Sequence, residues 1–143
     1  MNVPHVPILS PEQLPISLGT PLDGRSKTVV SDLVNPYGFV IFRGYGVSSD
    51  HEFHDFIECF GLPNFTYAES FSNAVRRNRT PRVFTANEAP PEIEIFLHHE
   101  MAQTLIFPGQ LFFFCEQAPT DGGATPIGRS DLTLAALEKA RPD

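Results

Sequence analysis

The 143-residue sequence predicts an α+β domain that is mainly β, with a few short helices around it. Three observations carry that prediction. Aromatic residues are lopsided, with 13 Phe, 3 Tyr and no Trp. They fall in short apolar runs such as 38–44, 93–97 and 111–115. Fourteen prolines and ten glycines cut those runs apart. Phe-rich segments between Pro and Gly turns suit strands better than a helical bundle.

In chain order, residues 1–23 hold Pro4, Pro7, Pro11, Pro15 and Pro21. Proline at this density forbids regular helix and predicts an extended N-terminal arm, with the domain proper over 24–143. Val29, Val30, Leu33 and Val34 lie on one face of a helix over 27–35. Asn35-Pro36 should end it, because a residue before proline avoids the α region. Gly38 to Gly44 then reads as a strand buried on both faces. Ser49 and Glu52 form a capping-box pattern, and Phe53, Phe56, Ile57 and Phe60 follow as a core-facing helical stripe ended by Gly61. Residues 62–80 are polar and irregular, a loop long enough to be functional. Strands are expected over 81–85, 93–100 and 111–115, with a further pairing segment over 124–127. A last helix over 131–140, capped by Ser130, should turn Leu132, Ala135, Ala136 and Leu137 inward.

Bulk properties exclude several functions. The formal charge is −7 and the pI near 5.1, which argues against nucleic acid or an anionic membrane as partner. Three arginines in 76–79 form the one basic cluster, and the plain reading is a solvated loop. Cys59 and Cys115 sit in apolar contexts and read as buried free thiols. No secretory signal and no apolar run approaching the ~18 residues of a membrane span is visible, so a cytoplasmic protein is expected.

His98 and Glu100 carry the chemistry. Alternate residues of a strand share a face, so this imidazole and this carboxylate would project together. They are two thirds of a 2-His-1-carboxylate triad, which holds non-haem Fe(II) and leaves positions open. A carboxylate among Phe96, Leu97 and the 111–115 run is costly without a cation. A zinc His-Glu-x-x-His site would need histidine at 103, where Gln103 stands. His51 and His54 read as a solvated helix face, His99 as pointing away and His5 as part of the arm. No Gly-x-Ser-x-Gly elbow and no phosphate-binding Gly-rich loop is present.

Three segments together resemble the TauD/TfdA-like, clavaminate-synthase-like family of Fe(II)/2-oxoglutarate-dependent oxygenases. They are Gly38-Phe39-Val40-Ile41-Phe42-Arg43-Gly44, Phe96-Leu97-His98-His99-Glu100-Met101-Ala102, and Phe112-Phe113-Phe114-Cys115 leading to Gly122-Gly123-Ala124-Thr125-Pro126-Ile127. Thr125 follows His98 by 27 residues, the family's separation. The resemblance implies a double-stranded β-helix (jelly roll) with flanking helices, present here in part. It implies Fe(II) on His98, Glu100 and a later histidine, and 2-oxoglutarate as cosubstrate touching Thr125. It implies oxidation of a small molecule coupled to decarboxylation of 2-oxoglutarate to succinate. Arg82 and Gln103 are candidates for the substrate side, Arg82 having a surface role beside a strand as its alternative.

The later histidine, and the arginine that clamps the far carboxylate in the family, have no matching positions in these residues. Three readings follow in order: the N-terminal portion of a longer oxygenase, one half of a split protein, or a relative that no longer binds iron tightly. Half a jelly roll exposes edges and apolar faces, so self-association, poor solubility or a complementing C-terminal chain is expected. The rival functions are a non-catalytic jelly-roll binding or assembly module and a cupin-type metalloprotein. The second needs histidines that the local sequence lacks.

Overall fold

The structure is a computed structural model of the chain and describes residues 6–65, 76–88, 90, 92–102 and 104–141. Five elements run in the order β1 (Ile8–Leu9), α1 (Gly24–Tyr37), β2 (Ile41–Phe42), α2 (Asp50–Glu58) and α3 (Ser130–Ala140). β1 and β2 pair in parallel, Ile8 opposite Ile41 and Leu9 opposite Phe42. Ile41 N donates to Pro7 O at 2.9 Å and Arg43 N to Leu9 O at 2.9 Å. The proline-rich segment is thereby stitched to the centre of the molecule. Leu9, Leu14 and Leu22 are buried, and Pro7 is among the most completely buried residues.

α1 is longer than its apolar face predicts. Asp23 caps it, Oδ1 accepting from Ser26 N at 2.7 Å. It continues through Pro36 to Tyr37, so Asn35-Pro36 does not end it. Near a C-terminus the missing proline N–H removes one bond only. The stop comes from Gly38, whose φ of 81° lets its N–H return to Val34 O at 2.7 Å. A Cβ there would also lie 2.8 Å from Arg129 Cδ.

α2 follows the capping-box expectation. Ser49 Oγ accepts from Glu52 N at 3.2 Å, and Glu52 Oε2 accepts from Ser48 N and from both serine hydroxyls. Its stripe builds the core: Leu22, Phe56, Cys59 and Phe60 are buried together, with Phe42, Tyr45 and Phe112 packed against them. Phe42 meets Phe56 edge to face at 5.2 Å between centroids, and Phe60 meets Phe112 at 5.0 Å. Tyr45 donates its hydroxyl to Leu14 O at 2.9 Å, which ties the N-terminal segment to this cluster. Burial, and secondarily the Glu12 carboxylate, raises that hydroxyl above its ordinary 10.0.

The β content differs from expectation. Among the described residues the ladder β1–β2 is the one sheet, and Asn78 and Phe84 form an isolated antiparallel bridge. The run 38–44 is a strand only at Ile41–Phe42, and these two are half-buried rather than buried on both faces. Residues 92–99 and 111–115 carry no strand pairing. In 111–115, Phe112 and Phe114 are half-buried and lean on Phe60 and Phe53, while Leu111, Phe113 and Cys115 are exposed. The segment is therefore covered on one face, which corrects the buried reading of Cys115. Cys59 is fully buried, its Sγ donating to Asp55 O and Ser17 O.

α3 also departs from expectation. Arg129, not Ser130, is the cap residue, without a side-chain cap bond. Leu132, Ala135, Ala136 and Leu137 are exposed, because nothing among the described residues packs on that face. Arg129 clips the helix start instead, donating to the Asp131 carboxylate through Nε and Nη2 and to Pro36 O through Nη1. The guanidinium holds the Asp131 carboxyl down to about 2. No helix among the described residues is long and apolar enough to cross a membrane.

Candidate active-site cleft

The segment 76–85 folds back on itself and supplies one wall of a cleft. Arg77 N donates to Thr85 Oγ1 at 2.9 Å and Thr85 N to Arg77 O at 3.0 Å. Thr80, buried, closes the turn: its Oγ1 accepts from Arg82 N at 3.2 Å and Val83 N at 3.0 Å. Those amides occupy the hydroxyl's lone pairs, so its proton goes to His54 Nδ1 at 2.9 Å. His54 Nε2 then carries its hydrogen toward Glu58 Oε1 at 3.8 Å. His54 is thus built into the packing, which corrects its reading as a solvated histidine.

The arginines of 76–82 are matched one by one with carboxylates. Arg76 Nη2 meets Glu100 Oε1 at 3.1 Å. Arg77 meets Glu88 at 2.9 Å. Arg79 Nε meets Asp50 at 2.6 Å and its Nη2 meets Glu116 at 3.6 Å. Arg82 pairs with Glu58 and also donates to Leu62 O at 2.8 Å. The hydrogen bond to Asp50, more than the surrounding charge, raises the Arg79 pKa. The basic cluster is therefore ion-paired, while Arg77 and Arg79 stay exposed as a solvated loop would have them.

These side chains border a cleft of about 740 Å³ whose other walls include Phe53 of α2 and Phe107. Arg76, Arg82 and Glu100 line it, and His98 and Thr125 are not among its lining residues. Glu100 is half-buried and stands in a turn, not in a strand. Met101 behind it is buried and adopts φ 60°, a left-handed conformation rare outside glycine. His98 is exposed, and its Nδ1 lies 2.7 Å from Phe96 O. Thr125 is exposed, in a stretch without regular structure that follows Gly122 and Gly123. The stretches carrying His98 and Thr125 lie close together, since a Cβ on Gly128 would sit 3.6 Å from Leu97 Cδ1. Gln103 and His5 lie outside the described residues.

The donors suit a ferrous ion in kind. Phe96 O can only accept, so the neutral His98 ring places its hydrogen on Nδ1 and its lone pair on Nε2. That is the arrangement metal-binding histidines use. Glu100 supplies a half-buried carboxylate. In number the set is two, and among the described residues no group of three His, Cys, Asp or Glu side chains is placed to hold a metal ion.

Sequence reasoning missed Arg76 and Thr80. The arginine cluster was visible, but its acidic partners Asp50, Glu88, Glu100 and Glu116 are scattered along the chain. Nothing in local spacing pairs them.

Comparisons with known proteins follow the motifs. Residues 4–143 match the family described as taurine catabolism dioxygenase TauD, TfdA family. A clavaminate synthase-like protein of Arabidopsis thaliana is 39% identical over 130 residues, which is 91% of this chain and 39% of that protein. The dapdiamide synthesis protein DdaC of Enterobacter agglomerans is 26% identical over 139 residues, 96% of this chain and 40% of that protein. The chain thus spans about two fifths of the length of these relatives. A match running from residue 4 to residue 143, over all three motif segments, makes the assignment: this chain belongs to the TauD/TfdA dioxygenase family.

Proposed function

We propose that the chain supplies the N-terminal part of an Fe(II)/2-oxoglutarate-dependent oxygenase, which oxidises a small molecule while 2-oxoglutarate is decarboxylated to succinate. The observation that carries this reading is the order His98-x-Glu100 with Thr125 27 residues on, inside a chain that matches the family along its length. In this reading the fold belongs to a double-stranded β-helix of which these residues are a portion. His98 Nε2 and Glu100 hold the metal, and Thr125 donates a hydrogen bond to the cosubstrate. The third ligand comes from outside these residues. Iron and 2-oxoglutarate, when bound, supply the oxidising chemistry.

The protein's own residues orient and enclose. The Nδ1–H of His98 on Phe96 O fixes the ring's tautomer. Phe53 and Phe107 give the cleft beside Glu100 apolar walls, which suits a substrate with an apolar part. Arg82, tied to Glu58 and Leu62 O, keeps its guanidinium on the substrate side. Gln103 is proposed for the same side on sequence grounds.

The test is an anaerobic titration with Fe(II) and 2-oxoglutarate, watching the metal-to-ligand charge-transfer band, followed by a succinate assay. A band that vanishes in Glu100→Ala and His98→Ala supports the site. A protein that includes the third ligand and still gives no band and no succinate removes this reading. It would favour a second one, a non-catalytic jelly-roll binding or assembly module. The apolar side chains exposed in the C-terminal half, Phe96, Leu105 and Phe113 among them, support that alternative.

A further inference from the structure

α2 docks on the folded-back segment 76–85 through one row of its residues. Asp50, His54 and Glu58 are four apart and share a helix face. Asp50 meets Arg79, His54 meets Thr80 and Glu58 meets Arg82. Asp50, Arg79, Arg82 and Val83 line the cleft, so this seam places one of its walls. The outer two contacts are ion pairs. In the middle one the direction of the hydrogen bond is fixed. Thr80 is buried, and its Oγ1 already accepts from the amides of Arg82 and Val83. What it has left is one proton to give, so His54 Nδ1 must be the acceptor.

We propose that His54 is a proton-operated latch on this wall. The neutral ring, with its hydrogen on Nε2, holds Thr80 and closes the wall on α2. A second proton can enter only at Nδ1, which faces the hydroxyl at 2.9 Å. Two donors then oppose each other, and Thr80 must give up an amide or lose the ring. The new charge also arrives between two guanidinium groups, those of Arg79 and Arg82. The carboxylates of Asp50 and Glu58 are already engaged with these arginines, and Glu116 is shared with Arg79. His51, one turn back on α2, is exposed and can add charge of the same sign. Glu58 Oε1 lies 3.8 Å from Nε2, the nitrogen that bears hydrogen in both states, and leaves the conflict at Nδ1 in place. Acid therefore loosens the segment and the hold on Arg82, whatever the cleft binds.

The experiment follows the full chain by NMR from about pH 8 to about pH 5, the range in which histidines titrate. At the upper end the ring nitrogen shifts of His54 should report hydrogen on Nε2. Protection of the Arg82 and Val83 amides against exchange, corrected for the intrinsic pH dependence, should fall about tenfold as the ring takes its proton. His54→Asn keeps an acceptor near the place of Nδ1 and does not titrate, so its protection should hold across the range. A neutral ring with hydrogen on Nδ1 overturns the latch. So does protection that stays level while the ring titrates, a ring that takes no proton in this range, or an equal fall in His54→Asn. Where His54→Asn fails to fold, the two wild-type readouts decide.

Discussion

Arg79 reaches Asp50 at 2.6 Å across 29 residues, and so fastens the folded-back segment 76–85 to the first turn of α2. The pair is partly exposed, so its energy is small and its role is alignment. Asp50→Asn should leave the denaturant midpoint close to that of wild type. Amide exchange in 77–85 should quicken all the same. Unchanged exchange there would show that Thr80 and His54 hold the segment without it.

The start of α2 should be acid-labile. Hydrogen bonds from Ser48 first, then Ser49, hold the Glu52 carboxyl below its ordinary 4.5. Its folded value is below its unfolded value, so its contribution is full above 4.5 and fades as pH falls through the folded value. Glu52→Gln should flatten the acid limb of the stability profile. Ser49→Ala should cost about 1 kcal/mol at neutral pH, read by denaturant unfolding.

Phe56 touches Phe42, Tyr45 and Phe60 and is 5% exposed. Phe56→Ala should destabilise by roughly 3–5 kcal/mol. A loss below about 1 kcal/mol would mean that the aromatic cluster is not the core.

The two thiols should separate cleanly. Cys115 is exposed and Cys59 fully buried. A thiol reagent should label one cysteine per native chain quickly and the second only on unfolding. Two fast thiols would contradict the packing around Ser17 and Asp55.

Ile95, Phe96, Leu105, Phe113, Leu132 and Leu137 are all more than half exposed. Side chains of this kind seek cover, so the isolated chain should self-associate in sedimentation velocity. A monomer that persists at every concentration would show that this surface tolerates water.

The N-terminal half was legible in sequence because its signals are local. Ser49 and Glu52 are three apart, and Phe56 and Phe60 recur at helical spacing, so one turn of chain announces each. Pro36 misled because proline's cost depends on whether its missing N–H falls inside a helix or near its end. The expected strands over 93–100 and 111–115 rest on pairing with segments distant in sequence. An apolar run does not say where its partner lies. The site divides along the same line: His98, Glu100 and Thr125 are marked by motif, whereas Arg76 becomes visible only when segments 24 residues apart meet.

The parallel seam between Ile8–Leu9 and Ile41–Phe42 carries a practical warning. Shortening this polypeptide from its front, as is often done with proline-rich ends, would unzip the neighbour of Phe42 and bare the aromatic cluster beneath it. Expression designs should keep those opening residues and hang any affinity handle well ahead of Pro7.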